Sequence, residues 1–230
     1  MNQTDTPTDR DFAALRDQMV HEQLLRRGIN DERVLQAMAR VPRERFVPPE
    51  SVADAYNDRP LAIGLGQTIS QPYVVARIAE LLQLDGDERV LDIGAGSGYQ
   101  AAVLFELVPR GRVFAIERIP ELCERARRRF HDLGYAIELS CQDGSAGWPE
   151  HAPYDAIAVA AAAPALPAPL CEQLRDGGRL VIPIGSPGDQ RLTVVRRRGA
   201  AIDVSPDVPV RFVPLLGEHG FPVSAAPRKA

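Results

Sequence analysis

The 230-residue chain lacks most of the features that announce a chemistry at first sight. Cysteine is sparse. Cys123, Cys141 and Cys171 are widely spaced and form no CxxC or Cys/His pairing, which excludes a zinc ribbon or a dithiol redox motif. They read as buried or half-buried thiols of a reducing compartment. Charge of one sign is not in excess either: 27 Lys and Arg against 31 Asp and Glu leave a formal net charge of −4. That balance gives no electrostatic footprint for nucleic acid or an acidic membrane surface. Long apolar runs are missing. The most apolar stretch, Ala156 to Leu170, is broken by Pro164, Pro167 and Pro169 and is too short to span a bilayer. The opening MNQTDTPTDRDF has no basic n-region and no apolar h-region, so no signal peptide is expected and the protein is read as cytoplasmic. No His/Asp/Glu cluster has metal-ligand spacing, so no metal is expected. The four histidines, His21, His131, His151 and His219, are scattered and are assigned to the surface.

What is present is an ordinary globular composition, 45% hydrophobic and 25% charged, with a clear order of patterns. Apolar spacing at Phe12, Leu15, Met19, Leu24 and Leu25, stopped by Gly28, predicts a helix over 11–27. A second helix is predicted from Asp31 to Arg40, ahead of Pro42. A Pro-rich connection with little regular structure follows, then the polar stretch GQTISQPY (Gly66 to Tyr73), which contains nothing to build a core, then the helical VVARIAELLQL. From Arg89 strands alternate with helices: RVLDIG, GYQAAVLFELV, RVFAIE, PELCERARRRFHDLG, AIELSC, YDAIAVAA, PAPLCEQLRDGG and GRLVIPIG. RLTVVRRR and VPVRFVPLL then come as strands without a helix between them. The expected fold class is α/β: a doubly wound, Rossmann-like, mostly parallel sheet with N-terminal helices and an antiparallel C-terminal strand addition. Residues 11–221 are expected to form one domain, with an N-terminal part (11–72), a core (73–200) and C-terminal strands (201–221). Residues 1–10 and 222–230 are expected to be frayed tails.

DIGAGSG (Asp92 to Gly98) follows a β-branched strand and opens a helix, the context that a nucleotide-binding turn requires. Glycines there let the backbone approach a ligand without a Cβ in the way. Glu117 ends the next strand, where an acid can accept both hydroxyls of a ribose. A dinucleotide fold wants GxGxxG, but the sixth position here is Tyr99. GxGxG with an acid two residues before it resembles motif I of the class I methyltransferases, which bind S-adenosyl-L-methionine (AdoMet). Asp143 and Gly144, just after the third strand, stand where that class contacts the adenine; the plain alternative for this pair is a turn.

Two absences prune the class. AAAAPA (Ala160 to Ala165) replaces the Asn/Asp-Pro-Pro-aromatic turn of amino-group DNA methylases, and no Pro-Cys pair offers a nucleophile toward pyrimidine C5. GQTISQP, with FVP (Phe46 to Pro48), AY-x-D-x-PL-x-IG (Ala55 to Gly64), GSGYQAAVL, ERIPEL, GGRLVIP and VRFVPL (Val210 to Leu215), then resembles the protein-L-isoaspartate O-methyltransferase family over roughly residues 18–217. The resemblance implies methyl transfer from AdoMet to the α-carboxylate of L-isoaspartyl residues in damaged peptides and proteins, leaving S-adenosyl-L-homocysteine. It implies Ser70 as the active-site serine, and Gln67, Thr68, Ile69, Asp92, Gly94, Gly96, Gly98, Glu117, Asp143 and Gly144 toward AdoMet. Thr68, Ile69, Ser70, Val213 and Leu215 are implied toward the substrate, with backbone of VRFVPL reading an extended peptide. By composition alone, Ser70 or Gln71 is a helix cap ahead of a first-turn Pro72, and VRFVPL is a half-buried edge strand. Ala160 departs from the family, which often has Thr there. The expected protein is a monomer with no nucleic-acid or membrane partner. Two other readings stay open: an AdoMet-dependent methyltransferase of a small molecule, and a non-catalytic AdoMet-binding module.

Overall fold

The computed structural model describes residues 9–225 of the chain. The expected frayed tails fall largely outside that range; within it, residues 9 and 10 belong to the first helix and Val223–Ala225 form a short 3-10 turn. Helix α1 (Asp9–Gln18) continues as a wide π turn, Met19–Leu24, and a 3-10 turn, Leu25–Arg27, before Gly28. Helix α2 (Glu32–Arg40) is capped by Asp31, whose side chain accepts the Arg33 and Val34 N–H groups and satisfies two of the donors a helix start leaves unpaired. Its buried face, Val34, Ala37 and Met38, joins the larger of two apolar clusters.

The connection expected to lack regular structure contains a hairpin. Strand β1 (Leu61–Gly64) pairs with β2 (Gln67–Ile69) across a two-residue turn at Leu65 and Gly66, both at positive φ, which is the geometry that matches strand twist in so tight a loop. GQTISQPY therefore does contribute to the core. Ile69 is 3% exposed, and Pro72 is buried as the first residue of α3 (Pro72–Leu82). The pattern was hidden because only one side chain of a three-residue strand faces inward.

From β3 to β8 the elements follow the predicted order: β3 (Arg89–Ile93), α4 (Tyr99–Leu107), β4 (Arg112–Ile116), α5 (Pro120–Leu133), β5 (Glu138–Ser140), β6 (Tyr154–Val159), α6 (Ala168–Glu172), β7 (Leu174–Ser186) and β8 (Asp189–Arg198); β9 (Ala201–Val210) begins ahead of the predicted VPVRFVPLL. They form a seven-stranded sheet in the order β5-β4-β3-β6-β7-β8-β9. Pairings from β5 to β7 are parallel, and β8 and β9 add antiparallel. This is the expected fold class. The near-continuous burial of β3, β4 and β6 shows a sheet covered on both faces. The order reverses between β3 and β6, which opens a crevice beyond their carboxyl ends.

Four further expectations need correction. Helix α6 stops at Glu172, because Leu174 already enters β7. VRFVPL is not an edge strand: β9 ends at Val210, and the chain turns inward so that Val213 and Leu215 bracket Ala162, with hydrogen bonds of 2.8 and 2.7 Å. Cys123 and Cys141 are not free thiols. They form a disulfide with a Cα–Cα separation of 5.8 Å, because α5 runs back along β5 and closes an 18-residue separation that the sequence spacing conceals. The cysteine argument for a reducing compartment falls with it; Cys171 is the buried free thiol among the described residues. His151 is also not on the open surface, since its ring packs 4.5 Å from Phe114 and 4.4 Å from Trp148. Among the described residues, no helix is long and apolar enough to cross a membrane.

Candidate active site

The loop from β3 into α4 builds the floor of the crevice. Gly98 caps α4 at φ +91°, and a Cβ there would sit 2.6 Å from the Phe130 ring, so position 98 admits only glycine. The Gly94 and Ala95 N–H groups both bond to Ile116 O, which holds the loop against the end of β4. Arg129 adds a tie from α5 to Ser97 O at 3.3 Å. Glu117 lies at the rim, 6% exposed. One of its oxygens accepts the Gly96 N–H at 2.9 Å and the other the Ile119 N–H at 2.7 Å. Each oxygen keeps a lone pair beyond those bonds, so the carboxylate is held flat and ready for a diol.

A cavity opens above this loop. Its wall brings together Gln67, Thr68, Ile69, Ser70, Gly94, Gly96, Glu117, Gly144, Val213 and Leu215, all named from the sequence. Val75, Ile93, Ala95, Ile116, Ile119 and Leu216 give it apolar sides, and Ser97, Tyr99, Gln100, Arg118, Ala160, Ala161 and Pro214 complete it. Most of these missed residues are immediate neighbours of motif positions, so adjacency was the available signal. Gln100, the second residue of α4, stands within the GSGYQAAVL stretch but is given no role by it.

Asp92, Gly98 and Asp143 do not line the cavity. Gly98 acts through the turn. Asp92 is fully buried below the loop, where Gln100 Nε2 donates to its Oδ1 at 2.7 Å. Its Oδ2 and Gln100 Oε1 have no partner. Burial, with Glu117 adding repulsion and Gln100 opposing, pushes its carboxyl up to about 7. The expected acid facing a cationic ligand is thus one layer back, with Gln100 on the cavity side. Asp143 is a latch: its oxygens accept the Ser145 and Glu218 N–H groups, each at 2.8 Å, and clamp the C-terminal loop beside the cavity. Burial opposes its ionisation, but those two donors outweigh it and hold the carboxyl below the ordinary range.

Ser70 lies at a junction. Thr68, Ser70, Ala160 and Val213 line both the cavity and a second groove formed with Pro60, Gln71, Val74, Gly188, Pro209, Val210, Arg211 and Phe212. Leu215, expected toward the substrate, lines the cavity alone. The Ser70 hydroxyl is half-buried and bonds to no other described residue. Gln71, not Ser70, takes the cap position of α3 and makes no side-chain cap; its amide is turned to Asp58. Val74 and Val75 N–H return to Gln71 O, and the Tyr73 N–H of the first turn bonds to no other described residue. The groove's far wall is fixed by Gln190, whose side chain bonds both the N–H and the C=O of Phe212. The Val213 N–H bonds to no other described residue.

The site is thus a glycine turn with a carboxylate held for a diol under an apolar slot, joined to a second groove at Thr68, Ser70, Ala160 and Val213. A sequence profile of the protein-L-isoaspartate(D-aspartate) O-methyltransferase family matches residues 15–220. The chain belongs to this family. It is 54% identical over 215 residues to protein-L-isoaspartate O-methyltransferase 2 of Marinobacter nauticus, covering 92% of this chain and 97% of that one. It is 57% identical over 205 residues to the Aeropyrum pernix protein-L-isoaspartate O-methyltransferase, covering 87% and 79%. A solved protein-L-isoaspartate O-methyltransferase superposes with a TM-score of 0.82 at 30% identity over 89% of this chain and 67% of that one. A Plasmodium falciparum beta-aspartate methyltransferase, solved with S-adenosyl-L-homocysteine, superposes with a TM-score of 0.73 at 26% identity over 86% and 96%. In this structure GQTISQP supplies the hairpin turn, strand β2, the junction serine and the start of α3.

Proposed function

We propose that the protein transfers the methyl group of AdoMet to the α-carboxylate of L-isoaspartyl residues in damaged peptides and proteins, and that residues 11–221 act as one catalytic unit. The observation that carries the reading is the position of Ser70 on the partition between the two cavities. The cavity fits AdoMet by its own chemistry. Glu117 retains lone pairs for ribose hydroxyls, Gly94 to Ser97 offer close-approach backbone, and Ile93, Ile116, Ile119 and Leu216 supply an apolar slot for a base. Asp92, an ionisable group one layer below the loop, favours positive charge above it. Bound there, AdoMet supplies an already activated sulfonium methyl.

The protein's own work is positioning. An α-carboxyl has an ordinary pKa of about 3.3–3.7, so the nucleophile is ionised at neutral pH and no general base is required. In keeping with that, the junction presents hydroxyls, Thr68 and Ser70, rather than a base. Ser70 donates to the carboxylate and turns one oxygen toward the cavity, while Val213 N–H donates to a backbone carbonyl of an extended peptide. Reading main chain rather than side chains lets one groove accept many damaged sequences. Holding two reactants aligned and dry is worth roughly 7–11 kcal/mol of barrier. Ala160 offers a methyl where a hydroxyl would otherwise share the junction, which leaves the orienting role to Ser70 and Thr68.

The test is transfer of labelled methyl to paired peptides that differ only in an isoaspartyl or aspartyl linkage, scored as base-labile methanol. Label on the isoaspartyl peptide alone is expected; equal labelling, or none, overturns the reading. Ser70→Ala is expected to lower kcat/KM by about 10- to 100-fold, the worth of one hydrogen bond to a charged group, with AdoMet affinity unchanged. Full turnover at saturating peptide removes Ser70 from the mechanism.

A further inference from the structure

The groove beyond Ser70 is lined by hydroxyl, amide, glycine, proline and apolar residues, with one exception. Arg211 is the single charged side chain on its wall among the described residues, and no acid lines it. Of the arginines near the groove, Arg27 pairs with Asp58, Arg59 with Asp54, and Arg77 with Asp207; exposed Arg118 lines the cavity, not the groove. Arg211 is exposed and makes neither an ion pair nor a side-chain hydrogen bond to another described residue. Its root is not loose. It follows Val210, the last residue of β9, and precedes Phe212, whose N–H and C=O are both held by Gln190.

An unpaired guanidinium on a rigid base beside a neutral groove sets a field that a bound peptide must meet. We propose that Arg211 is a specificity-determining residue that selects isoaspartyl sites flanked by a further acidic residue. The inference rests on the activity proposed above. The isoaspartyl carboxylate itself is directed to Ser70, on the cavity side, so Arg211 reads a second carboxylate, on a neighbouring residue. A lysine in that place meets like charge. Because the contact is solvent-exposed, its worth is that of a surface ion pair, about two- to fivefold in kcat/KM, and salt screens it.

The experiment compares three isoaspartyl peptides, identical except for Glu, Ala or Lys beside the isoaspartyl residue on either side, with base-labile methyl as readout. In the wild-type protein at low salt, kcat/KM is expected to fall in the order Glu, Ala, Lys on at least one side, the difference residing in KM and shrinking at about 0.5 M salt. Arg211→Lys keeps the order, Arg211→Gln flattens it, and Arg211→Glu inverts it. An order that is the same in the wild type and Arg211→Gln, or flat in the wild type while all three peptides turn over, overturns the Arg211 assignment and leaves the activity intact. No turnover of any isoaspartyl peptide overturns the proposed activity, and this inference with it.

Discussion

At the scale of single residues, Asp92 carries the clearest consequence. Its carboxyl is fully buried, half-satisfied by Gln100, and pushed up to about 7. Between the ordinary value near 4 and that figure, the folded protein holds a proton which the unfolded chain releases. The stability from this group is therefore complete below about pH 4 and is lost as pH rises through about 7. Asp92→Asn removes the titration, and the amide it introduces can donate to Gln100 Oε1, which has no partner. The ligand-free variant is expected to melt higher than the wild type at pH 8, by about 2–4 °C for each kcal/mol recovered, with the gap closing as pH falls toward about 4. Thermal melts from pH 4 to 8.5 check this; a constant difference across that range excludes the linkage. Burying an acid that costs stability beneath the site has a clear use if the ligand above it is cationic, because the cost is repaid when the ligand binds.

At the scale of elements, the disulfide joins the first turn of α5 to the residue after β5, on the side of the cavity where Glu117 and Gly144 stand. Closing an 18-residue separation is worth about 3 kcal/mol through the unfolded chain. Cys123→Ser with Cys141→Ser is expected to lower Tm by about 6–12 °C. A dithiol reductant should do the same to the wild type, since Cys141 is exposed, and nothing to the double variant. Equal melts with and without reductant would show that the bridge adds no stability. This pair also shows where sequence reading runs out. Helices and parallel strands were legible because periodicity and caps are local; Asp31, Gly28 and the glycine turn announced themselves. The bridge, the Asp143 latch to Glu218, and the inward turn of 211–216 depend on pairings across 18 to 75 residues that no local pattern encodes. The site residues on the glycine turn and GQTISQP were readable by motif, whereas the role of Gln100, though it stands in GSGYQAAVL, was not, because a single amide has no spacing of its own.

At the scale of the whole molecule, the two cavities are built by parts of the chain that must be kept in register. Helix α3 starts beside Ser70 and gives Val74 to the groove; the opposite wall comes from the end of β9, the last strand of the sheet. Strand β9 has β8 on one side and no strand on the other among the described residues. What ties it back to α3 is Arg77, whose Nε and Nη2 both meet the Asp207 carboxylate at 2.8 Å while Nη1 reaches Glu80 at 2.9 Å. The Arg77 guanidinium holds the Asp207 carboxyl below the ordinary range, so the tie is intact at neutral pH and is lost as pH falls below about 4. A planar fork clasped from both prongs fixes direction as well as distance. Asp207→Asn or Arg77→Met should therefore widen the groove without touching the glycine turn. The expected result is a KM for isoaspartyl peptide raised about two- to tenfold, with AdoMet affinity unchanged and a stability loss of about 1–3 kcal/mol. Isothermal titration with AdoMet alongside peptide kinetics separates the two. If AdoMet affinity falls in step with peptide KM, the pair supports the fold as a whole and the groove has no brace of its own; if peptide KM alone moves, the spacing between Ser70 and the β9 wall is set by this single ion pair.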